Sequence, residues 1–223
     1  MLLQHDTISR MRAVIITGGK VEQGFFVSES LKLANLLIAA DSGAKTALAW
    51  KLTPVLLIGD FDSIDSPTFM HFKNMGIKCL SFPKNKNETD TELAVKTAIG
   101  KGATQIDILG GSRGNRLDHV LANVYLCAYY PHLKIRFLNG NQETWMAKGP
   151  ATIEIDGKKG DLLSLIPLSQ KIVKITSDKL RFPLLKDILT LGSTRTISNI
   201  FLQKNASINF QKGNLLLIHT HTK

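Results

Sequence analysis

Two cysteines in 223 residues, Cys79 and Cys127, are too few and too far apart for a disulfide framework or a thiolate metal site. They are expected to pack as small hydrophobes in a reducing cytoplasm. No apolar run approaches the ~20 residues that span a bilayer, so no membrane association is expected. Met1–Arg10 holds only Leu2 and Leu3 before His5 and Asp6 interrupt, which is not the apolar core of a secretory leader. That segment is expected to form a frayed extension ahead of the first strand. No GxxxxGK[ST] phosphate loop, internal repeat or low-complexity tract occurs. A basic helix with interleaved aromatics is missing too, although the formal charge is +10. Residues 1–150 carry 17 Lys+Arg against 13 Asp+Glu, and residues 151–223 carry 11 against 5. The scattered excess suits a polyanionic small substrate or plain solubility, and no nucleic-acid partner is expected.

What is present is an alternation. Strand-like apolar runs at Ala13–Ile16, Leu36–Ala40, Val55–Ile58, Ile77–Phe82, Gln105–Leu109 and Lys134–Leu138 are separated by amphipathic segments. The helical segments are Ala44–Lys51, Ser66–Met75, Asp90–Ile99 and Leu117–Tyr129. Such alternation predicts an α/β fold with a mostly parallel sheet flanked by helices in a Rossmann-like, three-layer arrangement. After Gly149-Pro150 the helical period stops. Short strands are predicted at Thr152–Ile155, Leu162–Ile166, Ile172–Thr176, Thr194–Ile200 and Leu215–His219, with turn signals between them. The expected division is 11–149 as an α/β domain and 150–223 as an all-β sandwich or barrel.

The polar residues collect at the carboxyl ends of the first five strands, where α/β sheets bind ligands. Pro54–Ser63 is the most informative stretch: a buried apolar strand stops at Gly59, and Asp60 and Asp62 follow. If the chain stays extended past Gly59, a period of two points both carboxylates to one side. Two adjacent anions suit Mg²⁺, which binds through one or two carboxylates plus substrate phosphates. Taken alone, the stretch fits an Asp-rich turn equally well. Thr89-Asp90-Thr91-Glu92 fits a capping box, with Glu92 reaching back and Asp90 free to join the strand-three acids. Gly110–Arg116 resembles a phosphate loop with Arg113 and Arg116 as its cations, leading into a helix N-terminus that favours anions. His119 reads as a structural residue ahead of a general base.

Four segments of this half, Ala40-Asp41-Ser42-Gly43-Ala44, Gly59–Ile64, Glu88-Thr89-Asp90 and Arg116-Leu117-Asp118-His119-x-x-x-Asn123, occur in order with spacing that resembles the thiamine pyrophosphokinase family. Lys179–Leu184 followed by Gly192–Asn199 resembles the family's C-terminal pattern. The resemblance spans nearly the whole chain. It implies a catalytic α/β domain, a C-terminal β-sandwich that helps bind thiamine, and a homodimer with active sites between subunits. It implies transfer of the pyrophosphoryl group of ATP to the hydroxyl of thiamine, giving AMP and thiamine diphosphate. By the same resemblance Asp60, Asp62 and Asp90 hold Mg²⁺, and Asp41 sits in the nucleotide–metal site. Ser42, Gly43, Ser63, Lys86, Thr89, Arg113 and Asn115 are the further nucleotide-binding candidates. Arg116 and Asp118 lie at the phosphates and the reacting hydroxyl, with Asp118 as acceptor or orienter of its proton. Ser198 and Asn199 meet the thiamine ring system, and Phe182 forms a stacking or apolar wall. Asn87, Asn115, Asp178 and Ile200 depart from the family's pattern. The alternatives are a pyrophosphokinase for another heteroaromatic alcohol, such as a pterin, or a non-catalytic nucleotide or thiamine sensor.

Overall fold

The structure, a computed structural model, describes residues 11–112 and 116–222; the expected N-terminal extension lies outside the described residues. Two compact units make up the chain. The first joins the segment up to Gly18 with Ser30–Asp107, and the second joins Gly19–Glu29 with everything from Ile108 onward.

In the first unit β1 (Arg12–Ile16), β2 (Leu36–Ala40), β3 (Leu56–Gly59) and β4 (Lys78–Ser81) pair in parallel, in that order. β5 (Gln105–Leu109) lies on the other side of β1, so the direction of winding reverses there. Near-continuous apolar runs such as Ala13–Ile16 and Ile38–Ala40 are wholly buried, as strands covered on both faces require. The connections between these strands carry α1 (Phe25–Lys32), whose residues 25–29 belong to the second unit, α2 (Gly43–Ala49), α3 (Ser66–Asn74) and α4 (Asp90–Gly100). The third of these starts where Asp65 accepts a hydrogen bond from the Thr68 N–H and Pro67 fills the first turn. One polar side chain stands inside this core. Asp107 is fully buried, accepts a 2.7 Å hydrogen bond from Ser30 Oγ, and lies 3.6 Å from the Arg12 guanidinium, which keeps its charge compensated.

The second unit holds α5 (Leu117–Tyr129), β6 (Lys134–Asn139) and β7 (Gln142–Lys148), the last two forming an antiparallel pair. β14 (Asn214–Thr220) pairs antiparallel with β7 and with β9 (Leu162–Pro167), and β12 (Asn199–Ile200) closes that edge. A separate antiparallel sheet runs β11 (Asp187–Thr190), β10 (Lys171–Asp178), β13 (Asn205–Phe210), β8 (Ala151–Asp156). Inward side chains of both sheets, among them Leu165, Leu217, Ile175 and Ile208, share one core. The fold is therefore the expected α/β arrangement followed by an antiparallel sandwich.

The differences from expectation have local causes. Thr194–Ile200 is not a strand except for Asn199–Ile200; Ser198 takes φ 58°, and Thr196 Oγ1 donates instead to the Leu165 carbonyl. α1, β7, β11 and β13 lie in segments the sequence pattern leaves unassigned. The capping box at Thr89 is half made. Thr89 Oγ1 accepts the Glu92 N–H at 3.1 Å, a cap of about 1 kcal/mol, while the Glu92 carboxylate sits 3.0 Å from Lys96 Nζ. Both cysteines are free, and burial pushes the Cys127 thiol up to about 12.

Candidate functional site

The chain does not stay extended beyond β3. Gly59 takes φ 146° and Phe61 φ 63°, so the backbone turns through the Asp60–Asp62 segment, and the Asp62 N–H donates to Asp60 Oδ1 at 3.1 Å. The strand period therefore does not bring the carboxylates together; the turn does. Asp41, at the end of β2, also adopts positive φ, 48°, with its N–H donating to the Ile58 carbonyl at 2.8 Å. As a result Asp41, Asp60 and Asp62 each present a carboxylate oxygen within 4.8 Å of the others. A left-handed backbone at a residue other than glycine costs about 1–3 kcal/mol and collects at functional sites. Phe61 recovers part of that cost by packing on Phe69, ring centroids 5.1 Å apart.

The three acids are only partly satisfied. Ser63 Oγ donates to Asp41 Oδ2, while Asp41 Oδ1 is buried without a hydrogen-bond partner. Lys84 Nζ stands 2.7 Å from Asp62 Oδ2, and its hydrogen bond holds that carboxyl below the usual carboxylate range. Asp90, the first residue of α4, is not one of the three; Lys86 Nζ lies 2.9 Å from its Oδ1. Among the expected nucleotide-site residues, Ser42 makes no side-chain cap on α2. Gly43 has a packing role: a Cβ there would meet the Ile16 carbonyl oxygen at 2.1 Å. Thr89 caps α4, and Arg113 and Asn115 lie outside the described residues.

In the second unit Arg116 and Asp118 form a two-pronged ion pair, Nε to Oδ1 at 3.1 Å and Nη2 to Oδ2 at 2.5 Å. The Arg116 guanidinium holds the Asp118 carboxyl at about 2, so it is ionised at any physiological pH. Asn123 Nδ2 donates to the Gly111 carbonyl at 2.9 Å and anchors one end of the glycine-rich loop. His119 is exposed. In the sandwich, Phe182 is 61% exposed on the wall of a 380 Å³ pocket that Arg195, Ile197 and Asn199 also line. The Asn199 amide is fully engaged: its Oδ1 accepts the Phe182 N–H at 3.0 Å and its Nδ2 donates to the Phe182 carbonyl at 2.7 Å. Asn199 therefore positions the aromatic residue. Ser198 is exposed, with its N–H donating to Ser164 Oγ.

Two features escaped the sequence reading. Lys84 is the direct partner of Asp62, a pairing that a charged loop does not specify. Asp161, His219 and His221 form a second cluster of possible ligands, signalled only by the i, i+2 spacing of the two histidines near the C-terminus.

Residues 27–137 match the family described as "Thiamin pyrophosphokinase, catalytic domain", and residues 151–215 match "Thiamin pyrophosphokinase, vitamin B1 binding domain". The thiamine pyrophosphokinase of Bacillus subtilis is 32% identical over 188 residues, covering 83% of this chain and 87% of the relative. The crystal structure of a Bacillus subtilis thiamine pyrophosphokinase superposes with TM-score 0.84 at 28% identity, covering 95% of this chain and all of the other. That of Geobacillus thermodenitrificans gives TM-score 0.82 at 25% identity, covering 96% and 99%. By sequence across both halves and by fold, the chain belongs to the thiamine pyrophosphokinase family.

Proposed function

We propose that this protein transfers the pyrophosphoryl group of ATP to the primary hydroxyl of thiamine, giving thiamine diphosphate and AMP. The observation that carries the reading is the convergence of Asp41, Asp60 and Asp62 at the strand ends of a chain whose two halves both match the family. Residues 11–149 supply the ATP and metal chemistry in this reading, and residues 150–223 the thiamine-binding surface.

The acid cluster fits Mg²⁺. Its donors are hard carboxylate oxygens, and the buried, unpartnered Asp41 Oδ1 is an acceptor that lacks a positive partner. Asp41, Asp60 and Asp62 are the residues that would hold the ion, with Asp90 at the start of α4 as a further candidate. When bound, Mg²⁺ supplies neutralisation of polyphosphate charge. Lys86 and Lys84 are the cations that this unit itself brings to the same acids, and Ser63 fixes the Asp41 carboxylate by donating to it. In the reaction the thiamine oxygen attacks the β-phosphorus of ATP, the bridging oxygen departs with AMP, and the hydroxyl proton must be accepted. Alignment and charge stabilisation can supply most of the rate for such a displacement. Arg116 is assigned to the phosphate charge and Asp118 to the hydroxyl proton or its orientation. Phe182, held by Asn199, offers an exposed ring on which a heteroaromatic substrate can stack.

Leu117, Leu121, Tyr125 and Tyr129 form an exposed apolar stripe at four-residue spacing along α5. Such a face supports a homodimer. No described helix is long and apolar enough to cross a membrane. The two free thiols fit a reducing compartment, and the cytoplasm is the location proposed on that ground.

Incubation with ATP, Mg²⁺ and thiamine tests the reading. AMP release that depends strictly on thiamine is the expected result; ADP release without thiamine would refute it. Asp118→Asn separates two roles for that residue. The ionised Asp118, held low by Arg116, adds no acid limb to the wild-type profile above about pH 3. If Asp118 accepts the proton, the Asn variant loses on the order of 10²–10⁴-fold in kcat. Near-normal turnover with an unchanged pH profile would remove the base role.

A further inference from the structure

The second cluster of ligating side chains lies within the second unit and is assigned to no step above. Asp161 follows the β8–β9 turn, His219 lies on β14 and His221 just beyond it. Asp161 and His219 are fully buried and His221 is 9% exposed. Asp161 Oδ2 stands 3.2 Å from His219 Nε2 and 2.5 Å from His221 Nδ1, and accepts the Lys158 N–H at 2.7 Å. Its Oδ1 is fixed by the Thr222 N–H at 3.0 Å. The other nitrogen of His219, Nδ1, lies 3.3 Å from Glu143 Oε1, and Glu143 Oε2 accepts a 2.9 Å hydrogen bond from Arg136. Phe201 stacks on His219 and Phe26 on His221, at centroid distances of 5.1 and 4.6 Å.

We propose that Asp161 Oδ2, His219 Nε2 and His221 Nδ1 bind one Zn²⁺ ion that ties the end of β14 to the β8–β9 turn. Among the described residues Asp161 and Glu143 bring two buried carboxylates to the cluster and Arg136 brings one guanidinium, so with neutral imidazoles the carboxylates outnumber the cations. A neutral His219 carries one N–H but faces a carboxylate on each side, Glu143 at 3.3 Å and Asp161 at 3.2 Å, so in either tautomer a ring lone pair meets a carboxylate oxygen. With Nδ1–H donating to Glu143, a cation between Nε2 and Asp161 Oδ2 relieves that contact. The carboxylate behind the imidazole is the arrangement that orients histidine ligands of metals. A Cβ on Gly157 would crowd Phe201 Cε1 at 3.0 Å and both Asp161 Oδ2 and His219 Nε2 at 3.1 Å, so this glycine keeps side-chain atoms away from the facing pair.

A mixed nitrogen and oxygen set selects Zn²⁺ over Mg²⁺. Bonds of ~2.0–2.2 Å in tetrahedral geometry separate ligand atoms by about 3.3 Å, which the Asp161–His219 pair already meets. His221 Nδ1, at 2.5 Å from Asp161 Oδ2, stands closer than two ligands of one ion, so zinc binding requires this ring to turn out of its hydrogen bond to Asp161. Water takes the fourth position. The ion stands apart from the pyrophosphoryl transfer and stabilises the sandwich.

The test uses the full chain, stripped with a chelator and dialysed against Zn²⁺ or Co²⁺ in excess Mg²⁺, which saturates the strand-end acids. One Zn²⁺ per chain, the intense visible bands of four-coordinate Co²⁺, and a Tm raised by several degrees on Zn²⁺ addition are expected. Glu143→Gln should weaken binding by ~10–100-fold. His221→Ala should weaken it at least as much and remove the Co²⁺ bands, with His221→Gln in its place if the alanine variant does not fold. Asp62→Ala should leave Zn²⁺ affinity unchanged. Absence of stoichiometric binding overturns the proposal and assigns the balancing cation to a proton on His219. Binding that survives both His221 and Glu143 substitutions, or that is lost in Asp62→Ala, overturns it equally.

Discussion

Asp62→Ala is expected to abolish Mg²⁺-dependent pyrophosphoryl transfer, with a loss on the order of 10²–10³-fold or more in kcat, while the fold stays intact. The two halves of that expectation rest on different observations. Asp62 is exposed and its ion pair with Lys84 is a surface pair, so removing it disturbs no core contact. Its carboxylate, however, is one of three that converge, among the described residues, at the ends of β2 and β3. Losing it leaves Lys84 without its partner and removes one of the carboxylate oxygens that would hold the Mg²⁺ ion whose charge offsets the polyphosphate. The discriminating measurement pairs thiamine-dependent AMP release across an Mg²⁺ titration with thermal melting. An unchanged Tm and lost turnover that high Mg²⁺ fails to restore support the assignment. Retained activity with an unchanged Mg²⁺ dependence would remove Asp62 from the site.

The second large effect falls on stability and arises from backbone contact. In Gly43→Ala the new Cβ would lie 2.1 Å from the Ile16 carbonyl oxygen and 2.6 Å from its carbon. Neither atom belongs to a side chain that can swing away; both are backbone of β1 at the centre of the parallel sheet. The start of α2 must therefore retreat from the strand. A destabilisation of about 3 kcal/mol or more is expected, at or above the upper end for overpacked sites. For a chain of this size that lowers Tm by roughly 6–12 °C. Activity should fall as well, because the Asp41 carbonyl accepts the Ala44 N–H at 3.0 Å and moves with the helix. Gly100→Ala is the matched control: at the last residue of α4 an added Cβ meets nothing within 4 Å, so a neutral or slightly stabilising result is expected. Equal Tm values for the two variants would show that the approach of α2 to β1 is not as close as described.

The contrast between these residues shows what was legible in the chain. β1, β2 and β3 announce themselves as apolar runs because strands covered on both faces need no polar alternation. Asp41, Asp60, Asp62 and Asp90 could be placed near one sheet edge because parallel βα units put every strand's carboxyl end on the same side. α1 and β7 were not legible. Phe25–Lys32 is short and has no acidic residue in its first turn, and Gln142–Lys148 begins with polar residues whose burial, at Glu143, depends on Arg136 and His219. β13 alternates correctly at Ala206, Ile208 and Phe210, but its Asn and Ser positions have low strand propensity, and only pairing with β8 and β10 makes it a strand.

By itself the sequence determined the strand–helix alternation, the short strands and missing helical period after residue 150, and the acids and arginines available at the strand ends. Those features depend on local periodicity, which any short window of the chain contains. Tertiary structure alone decided that a left-handed turn at Phe61 gathers the carboxylates. It also decided that Asn199 is committed to the backbone of Phe182, and that Asp161 meets two histidines about sixty residues away. Positive-φ geometry and contacts between distant segments have no local pattern to read. They are set by which surfaces the packed sheets bring together, and that is where the chemistry of the Asp60–Asp62 segment is decided.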